Sequence, residues 1–343
     1  MQIANIKGLN LPYKKEEEFL KIDFSSLFDF DFKEHKALDI ESILKTKIDS
    51  EVYESKLFSI ANSLNNEQKT LTIDKDLQEP LIIVNKISQD ETLFTNSLLI
   101  EIKDGVKASL IEVFVNNSQS SAILANRVIK VGKNASLEYV KVQDINHLNS
   151  IVFSCKAIQN DLSNLEISNF EFGDGFCVNS FENKIDSLEV NYELNGLNKL
   201  RNNSSSSTLI RTTHNNQSSK SNINYKNSLL HSSLAVIKIN SIVTKNGAFS
   251  KAFQNCNSIL LSDDAVVFAQ PFLEIFIDEL EASHGTTTGT LNKDQLLYLQ
   301  SRGISEEKSY EMLLEAFENS IKENIKDEKV KEFLNMYKKE SYI

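Results

Sequence analysis

LEIFIDELEASHGTTTGTLNKDQLLYLQSRGISEEKSYEMLLEAF, residues 273–317, changes its period partway along, and that change organises the rest of the chain. Leu273, Glu274, Ile275, Phe276 and Ile277 carry the β-branched and aromatic side chains of a strand, whereas 292–300 sets Leu296, Leu297 and Leu299 among polar residues at helical spacing. The switch falls near His284. Gly285 and Gly289 relieve steric restriction and the three threonines between them disfavour helix, so His284 is expected on a turn at a domain edge. Gly303 stops the first helix, and Ser305 caps the next, with Glu306 and Glu307 at its positive end.

Upstream, 81–277 is a succession of short β-rich runs such as LIIVNKI, SLLIEIK and AILANRVIKV. Two of them repeat. IKDGVKASLIEVFV (102–115) and IKVGKNASLEYVKV (129–142) share Ile, Lys, Gly, Ala, Ser, Leu, Val and Val in register. Each copy turns at glycine, places a small alanine where backbone crowds, and resumes an alternating pattern. The spacing fits stacked coils, and by itself fits two hairpins of a sandwich equally well. Only three prolines in the chain agree with long strand ladders. Residues 201–233 are rich in Asn and Ser, but Leu209, Ile210, Ile223 and Tyr225 recur at strand-like spacing, which predicts an ordered coil surface with a mobile loop. The first 65 residues, including KALDIESILKTKI (36–48), read as a small helical cap. At the other end 306–321 and 328–337 align Leu313, Leu314, Phe317 and Ile321, then Val330, Phe333, Leu334 and Tyr337, on one helical face each.

Composition narrows function. The chain has 343 residues and a net charge of −11, with no Lys/Arg-rich block, which argues against a nucleic-acid groove. No apolar run approaches the roughly 20 residues that span a bilayer, and no apolar stretch follows Met1; the expectation is a cytoplasmic protein without signal peptide or membrane contact. Cys155, Cys177 and Cys256 are odd in number and widely spaced, as reduced thiols would be. No CxxC pair predicts a permanent cluster, and neither phosphate-binding glycine motif occurs. Asp263 and Asp264 are neighbours on the chain and mark a solvated turn rather than an acid/base pair.

The ordered set Pro271, Leu273, Glu274, Ile275, Ser283, His284, Gly285, Thr286, Gly289, Gln295, Leu296, Tyr298, Leu299, Ser301, Arg302, Gly303 and Ile304 resembles the SufB/SufD family of iron-sulfur cluster assembly proteins, on its SufD side. Weaker similarity touches 259–262, Tyr225, Lys226, His214 and EEEFLKIDFSSL at 16–27. The resemblance implies a mainly β protein with a right-handed parallel β-helix core (71–280) between an N-terminal helical segment (1–70) and a C-terminal one (281–343). It implies a non-enzymatic scaffold subunit that pairs with SufB through the β-helix, or with a second copy of itself. The C-terminal helices would dock the ATPase SufC around Tyr298, Leu299, Arg302, Gly303 and Ile304, and SufC would supply ATP hydrolysis. A transient Fe-S cluster shared with SufB, and a reduced flavin in the complex, are the implied cofactors; none is bound permanently to this chain alone. The chain is short for the family, which implies a trimmed N-terminal region.

Two residues stand out as iron ligands. His284 belongs to the family's Ser-His-Gly turn, and imidazole both binds iron and moves protons near neutral pH. A histidine merely bonded to a backbone carbonyl is the alternative. Cys256, in QNCNSILLS (254–262), offers the soft thiolate that iron and persulfide sulfur prefer, against the commoner fate of an inert buried thiol. Its setting is similar to that of a functional SufB cysteine, whereas Gly285 is similar to SufD and replaces a SufB glutamate. Cys155 and Cys177 read as core, His214 and His231 as polar surface, and His35 and His147 have no assignable role. A carbohydrate-active β-helix enzyme is the rival from another class, and lacks both an export signal and a convergent carboxylate set. A purely architectural β-helix subunit is the second rival, and would tolerate loss of His284.

Overall fold

The computed structural model describes residues 1–38, 44–47, 55–65 and 67–336. Its strands are β1 (Glu34–Ala37), β2 (Leu44–Lys47), β3 (Glu67–Ile73), β4 (Leu81–Ile87), β5 (Thr92–Ile102), β6 (Lys107–Asn116), β7 (Ala122–Val131), β8 (Ser136–Ile145) and β9 (Ser150–Gln159). They continue as β10 (Asn164–Gly173), β11 (Phe176–Ile185), β12 (Asn191–Leu200), β13 (Ser205–His214), β14 (Lys220–Leu229), β15 (Leu234–Val243), β16 (Lys251–Leu260), β17 (Val266–Ile275) and β18 (Glu281–Gly289). From β3 onward each strand pairs in parallel with the strand two further on, so odd and even strands build two separate sheets. That alternation defines a parallel β-helix, and the eight strands of the even sheet make about eight turns.

The sequence repeat is real but its register differs from the ladder. Repeat copies are offset by 27 residues, whereas Ala108 pairs with Leu137 and Ile102 with Val131, an offset of 29. A two-residue slip leaves every side chain on its own face, so the apolar pattern survives. The glycines consequently do different jobs. Gly105 is the left-handed turn residue (φ +74°), a place taken one coil later by Asn134 (φ 55°). Gly132 is required for closeness instead, because a Cβ there would lie 2.6 Å from the Asp104 amide nitrogen. Asp104 then accepts a hydrogen bond from the Lys133 amide at 2.8 Å, locking turn to turn.

Inward rows from both sheets fill the lumen with one long apolar core that includes Leu98, Ile129, Tyr139, Phe153, Phe181, Ile210 and Ile237. The N-terminal segment covers the outer face of the odd sheet, packing Phe19, Phe24, Leu27 and Leu57 against Leu124, Val152, Val178 and Val236. It is less helical than expected: α1 (Ser25–Phe28), α2 (Lys56–Leu64) and two single 3-10 turns accompany β1 and β2. The stretch 36–48, read as helix, contributes to both of those strands, and its other residues lie outside the described ones. A cause is visible at β5, which has 11 residues while β3 pairs only with Leu98–Ile102. Its first residues keep free backbone groups that β1 satisfies by pairing with Thr92–Thr95.

Among the described residues three helices follow β18: α3 (Lys293–Ser301), α4 (Glu306–Lys322) and α5 (Glu328–Met336). Asn292 caps α3 by accepting from the Asp294 and Gln295 amides, Gly303 ends the turn at φ +86°, and Ser305 caps α4. Ile321, Ile325, Val330 and Leu334 pack on Ile111, Val140, Phe170 and Leu197 of the even sheet. Glu318 anchors α4 by an ion pair with Lys199 (3.0 Å) and by accepting from Ser228 (2.7 Å). Tyr337 lies outside the described residues.

The Asn/Ser-rich region forms β13 and β14, joined through residues 215–219. Its polar side chains are not all surface: Ser206, Thr208, Thr212, His214, Ser221 and Asn227 are buried. Some of them bond one another there, as His214 does with Ser221 and Asn227 with Ser258, whereas the Thr208 and Thr212 hydroxyls are buried without a partner. His214, expected on the surface, is fully buried, its two ring nitrogens held by Ser219 Oγ (2.7 Å) and Ser221 Oγ (2.8 Å). Desolvation pushes its pKa down to about 4. His231 is exposed, as expected, at a left-handed turn position (φ 58°).

Candidate functional site at the open end of the coil

His284 lies on strand β18 rather than on a turn, and the sheet continues to Gly289, beyond the boundary expected at 280. Thr286, Thr287 and Thr288 are β-branched and extend the ladder on β16. The pairs Ala252 with Ala282, Gln254 with His284, Cys256 with Thr286 and Ser258 with Thr288 continue one inward row from coil to coil. On β16 all four members are buried; on β18 His284, Thr286 and Thr288 are exposed, since among the described residues no further coil stacks on them. Lumen chemistry is thus brought to the surface at this end. The backbone groups along the free edges of β17 and β18 are open to a partner for the same reason.

Cys256 sits one coil beneath His284 and two residues along. Strand spacing and rise separate their Cα atoms by roughly 8 Å. The thiol is 1% exposed, accepts weakly from Asn227 Nδ2 (3.5 Å), and is pushed by burial up to about 11. As it stands it is a protonated thiol roofed by the terminal coil. Cys155 and Cys177 are core residues, as expected: burial raises the Cys155 thiol to about 12, and Cys177 Sγ lies 3.1 Å from Glu171 Oε2. Among the described residues no group of three His, Cys, Asp or Glu side chains stands ready to hold a metal ion.

The expected docking residues fall on α3 and its C-terminal turn. Tyr298 and Leu297 are 58% and 62% exposed, and α3 buries none of its residues. Leu299 and Ile304 are half-buried, and the Arg302 guanidinium lies 5.2 Å from the Tyr298 ring centre, forming a small amphipathic surface.

Sequence reading missed a seam of buried charge inside the coil. Glu112 receives Arg127 Nε (2.9 Å) and Nη2 (2.5 Å), Tyr139 OH (2.5 Å) and Asn85 Nδ2 (2.7 Å). Burial opposes its charge, yet the Arg127 guanidinium and these hydrogen bonds outweigh that and hold the carboxyl below its usual range. One coil further, Lys141 Nζ donates to Glu171 (2.7 Å), Gln143 (2.9 Å), Asn179 (2.9 Å) and Asn169 (3.1 Å), 4.8 Å from the Phe153 ring centre. The available signal was parity. Glu112 follows Ala108 and Leu110 at two-residue steps, and Lys141 follows Leu137 and Tyr139, so both charges occupy the apolar row and must point inward.

A two-sheet coil with helices at its C-terminal flank and a histidine-bearing open end defines a parallel β-helix protein. Residues 84–317 match the family described as SUF system FeS cluster assembly, SufBD core domain, and the chain belongs to that family. SufD of Escherichia coli is 26% identical over 239 residues, covering 68% of this chain and 55% of the relative. SufD of Plasmodium berghei is 25% identical over 315 residues, covering 82% and 23%. A SufBD family protein of Pyrococcus horikoshii is 35% identical over 95 residues, covering 28% and 21%. The chain therefore spans about half the length of the first of these relatives and less of the others.

Proposed function

We propose that the chain is a SufD-like subunit of an iron-sulfur assembly scaffold. Its open end pairs with a SufB-type β-helix, and α3 with its flanking turn receives a SufC-type ATPase that supplies the hydrolysis. The observation that carries this reading is His284: an exposed imidazole on the lumen row of the terminal coil, with a thiol one coil below. The nascent cluster is cargo. His284 completes or orients its site, and the partner provides most thiolate and carboxylate ligands. Cys256 adds a sulfur ligand or relay once iron takes the place of its proton, which requires Thr286 and the terminal coil to shift. A reduced flavin would belong to the whole complex rather than to this chain. Among the described residues no helix is long and apolar enough to cross a membrane.

Anaerobic purification of the tagged chain from its own host, with mass spectrometry of what accompanies it, tests the partners. Recovery of SufB- and SufC-type proteins supports the reading. Recovery of only a second copy points to a homodimer, and recovery of nothing removes the division of labour. His284→Ala in the recovered complex is expected to keep the subunits together and abolish cluster formation. Full cluster formation in that variant would reduce the chain to an architectural role.

A further inference from the structure

Gln254 is the Cα partner of His284 on the neighbouring coil and shares its inward row. The side chain is 3% exposed and reaches across the lumen, where Nε2 donates to Ser241 Oγ (2.7 Å) and to the Phe272 carbonyl (2.9 Å). A carbonyl only accepts, so the amide cannot be turned round, and Oε1 is fixed as the remaining acceptor. Oε1 is buried and has no hydrogen-bond partner. A buried acceptor left unmatched is costly, about 1–3 kcal/mol. Strand spacing sets the His284 Cα about 4.8 Å from that of Gln254. The ring makes no hydrogen bond to Oε1 in this structure, and a turn about the His284 side-chain bonds would bring one of its nitrogens there.

We infer that Gln254 is the positioning residue of His284: Oε1 accepts from one imidazole N–H and thereby fixes the ring's tautomer and direction. The other nitrogen then presents its lone pair away from the coil, toward whatever covers the open end. Histidines that bind metal ordinarily donate their second N–H to an oxygen in this way, which orients the ring and raises its donor strength. A neutral amide does this without adding a second charge to the site. The further role for the outward nitrogen, as ligand or proton acceptor for a nascent cluster, rests on the proposed function above; the tautomer lock does not.

The test uses the full chain labelled with 15N-histidine and long-range 1H–15N correlation at pH 8, with the His284 signals assigned by their loss in His284→Asn. His284 is expected in one tautomer, favoured about tenfold or more, while exposed His147 shows a mixture. Gln254→Met is expected to bring His284 to the His147 mixture and to leave His214, held by Ser219 and Ser221, unchanged. A wild-type His284 with the His147 mixture overturns the inference without any variant, should Gln254→Met fold poorly. So does a tautomer ratio that Gln254→Met does not move. Because the isolated chain is read, a locked tautomer with a dispensable His284 would sink the cluster reading alone. An unlocked tautomer with an essential His284 would sink only the positioning role.

Discussion

Gly196 offers the sharpest test of how the lumen is packed. It faces Asn169 on one neighbouring coil and Tyr225 on the other, all three on the inward row of the even sheet. The Tyr225 ring folds back across Gly196 so that its hydroxyl, two coils away, accepts from Asn169 Nδ2 at 3.0 Å. A Cβ on Gly196 would lie 2.1 Å from Tyr225 Cζ. Gly196 is outside the left-handed region, so alanine suits its backbone and the whole effect of Gly196→Ala is steric. Forcing one carbon into a closed core costs about 1–3 kcal/mol, and displacing the ring forfeits a buried hydrogen bond worth about 1 kcal/mol. A local loss of about 3 kcal/mol follows, or roughly a hundredfold faster amide exchange in β12 and β14 if exchange follows local opening. Hydrogen exchange read by mass spectrometry suits a stacked coil, where opening can be confined to a few turns. In a Tyr225→Leu background the clashing ring atoms are gone, and Gly196→Ala should become neutral or slightly protective. Equal acceleration by Gly196→Ala in both backgrounds would refute the ring-packing argument.

Acid stability is expected to depend on His214. Its folded-state pKa of about 4 lies below the unfolded value near 6.5, so the native state favours the neutral ring. Its contribution is intact above about pH 6.5, is lost as pH falls toward 4 and levels off below, a change of about 3 kcal/mol. His214→Gln should flatten the difference in unfolding free energy across that window, and parallel pH curves for the two proteins would argue against it. His35, also lowered by burial, adds a slope of the same sign. At the buried pair, Glu112→Gln should cost about 3–5 kcal/mol in chemical denaturation by leaving Arg127 without its carboxylate. The double change E112L/R127M should recover much of that loss; a double variant as unstable as the single one would show that the carboxylate is needed for more than pairing.

The strands were legible because a lumen lined on both sides imposes strict alternation, and residues 102–142 repeat it twice; that pattern fits a sandwich as well, and the resemblance to the SufB/SufD family is what selected the coil. Register was not legible, since Gly105 and Gly132 look equivalent in sequence yet serve turn conformation and backbone approach respectively. Helix was expected over 36–48 because local pattern says nothing of the unpaired start of β5 that recruits β1. His284 was found by motif and misplaced by pattern. Alternation becomes visible only when one face is covered, and EASHGTTTG belongs to a coil whose inward row meets solvent. The same uncovered row that hides a strand from sequence reading is what makes its histidine available.

The proposed role also follows from counting donors at that end. His284 and Cys256 are the two ligand-type side chains that the last ladder brings near one another, and one of them is a roofed thiol. An iron-sulfur cluster commonly takes four protein ligands. On this reading the remaining ligands come from the surface that covers β17 and β18, so assembly of the site and docking of the partner are one event. The lumen charges are spent elsewhere: Glu112 on Arg127, and Lys141 on Glu171 with its ring of amides, several coils below. Their substitution should therefore weaken the coils around them, whereas substitution of His284 should confine any loss of exchange protection to the strands beside Gln254 and abolish cluster formation in the complex. If His284→Ala instead loosens coils beyond β16 and β18 in the isolated chain, its imidazole is a packing element, and the ligand role loses its basis.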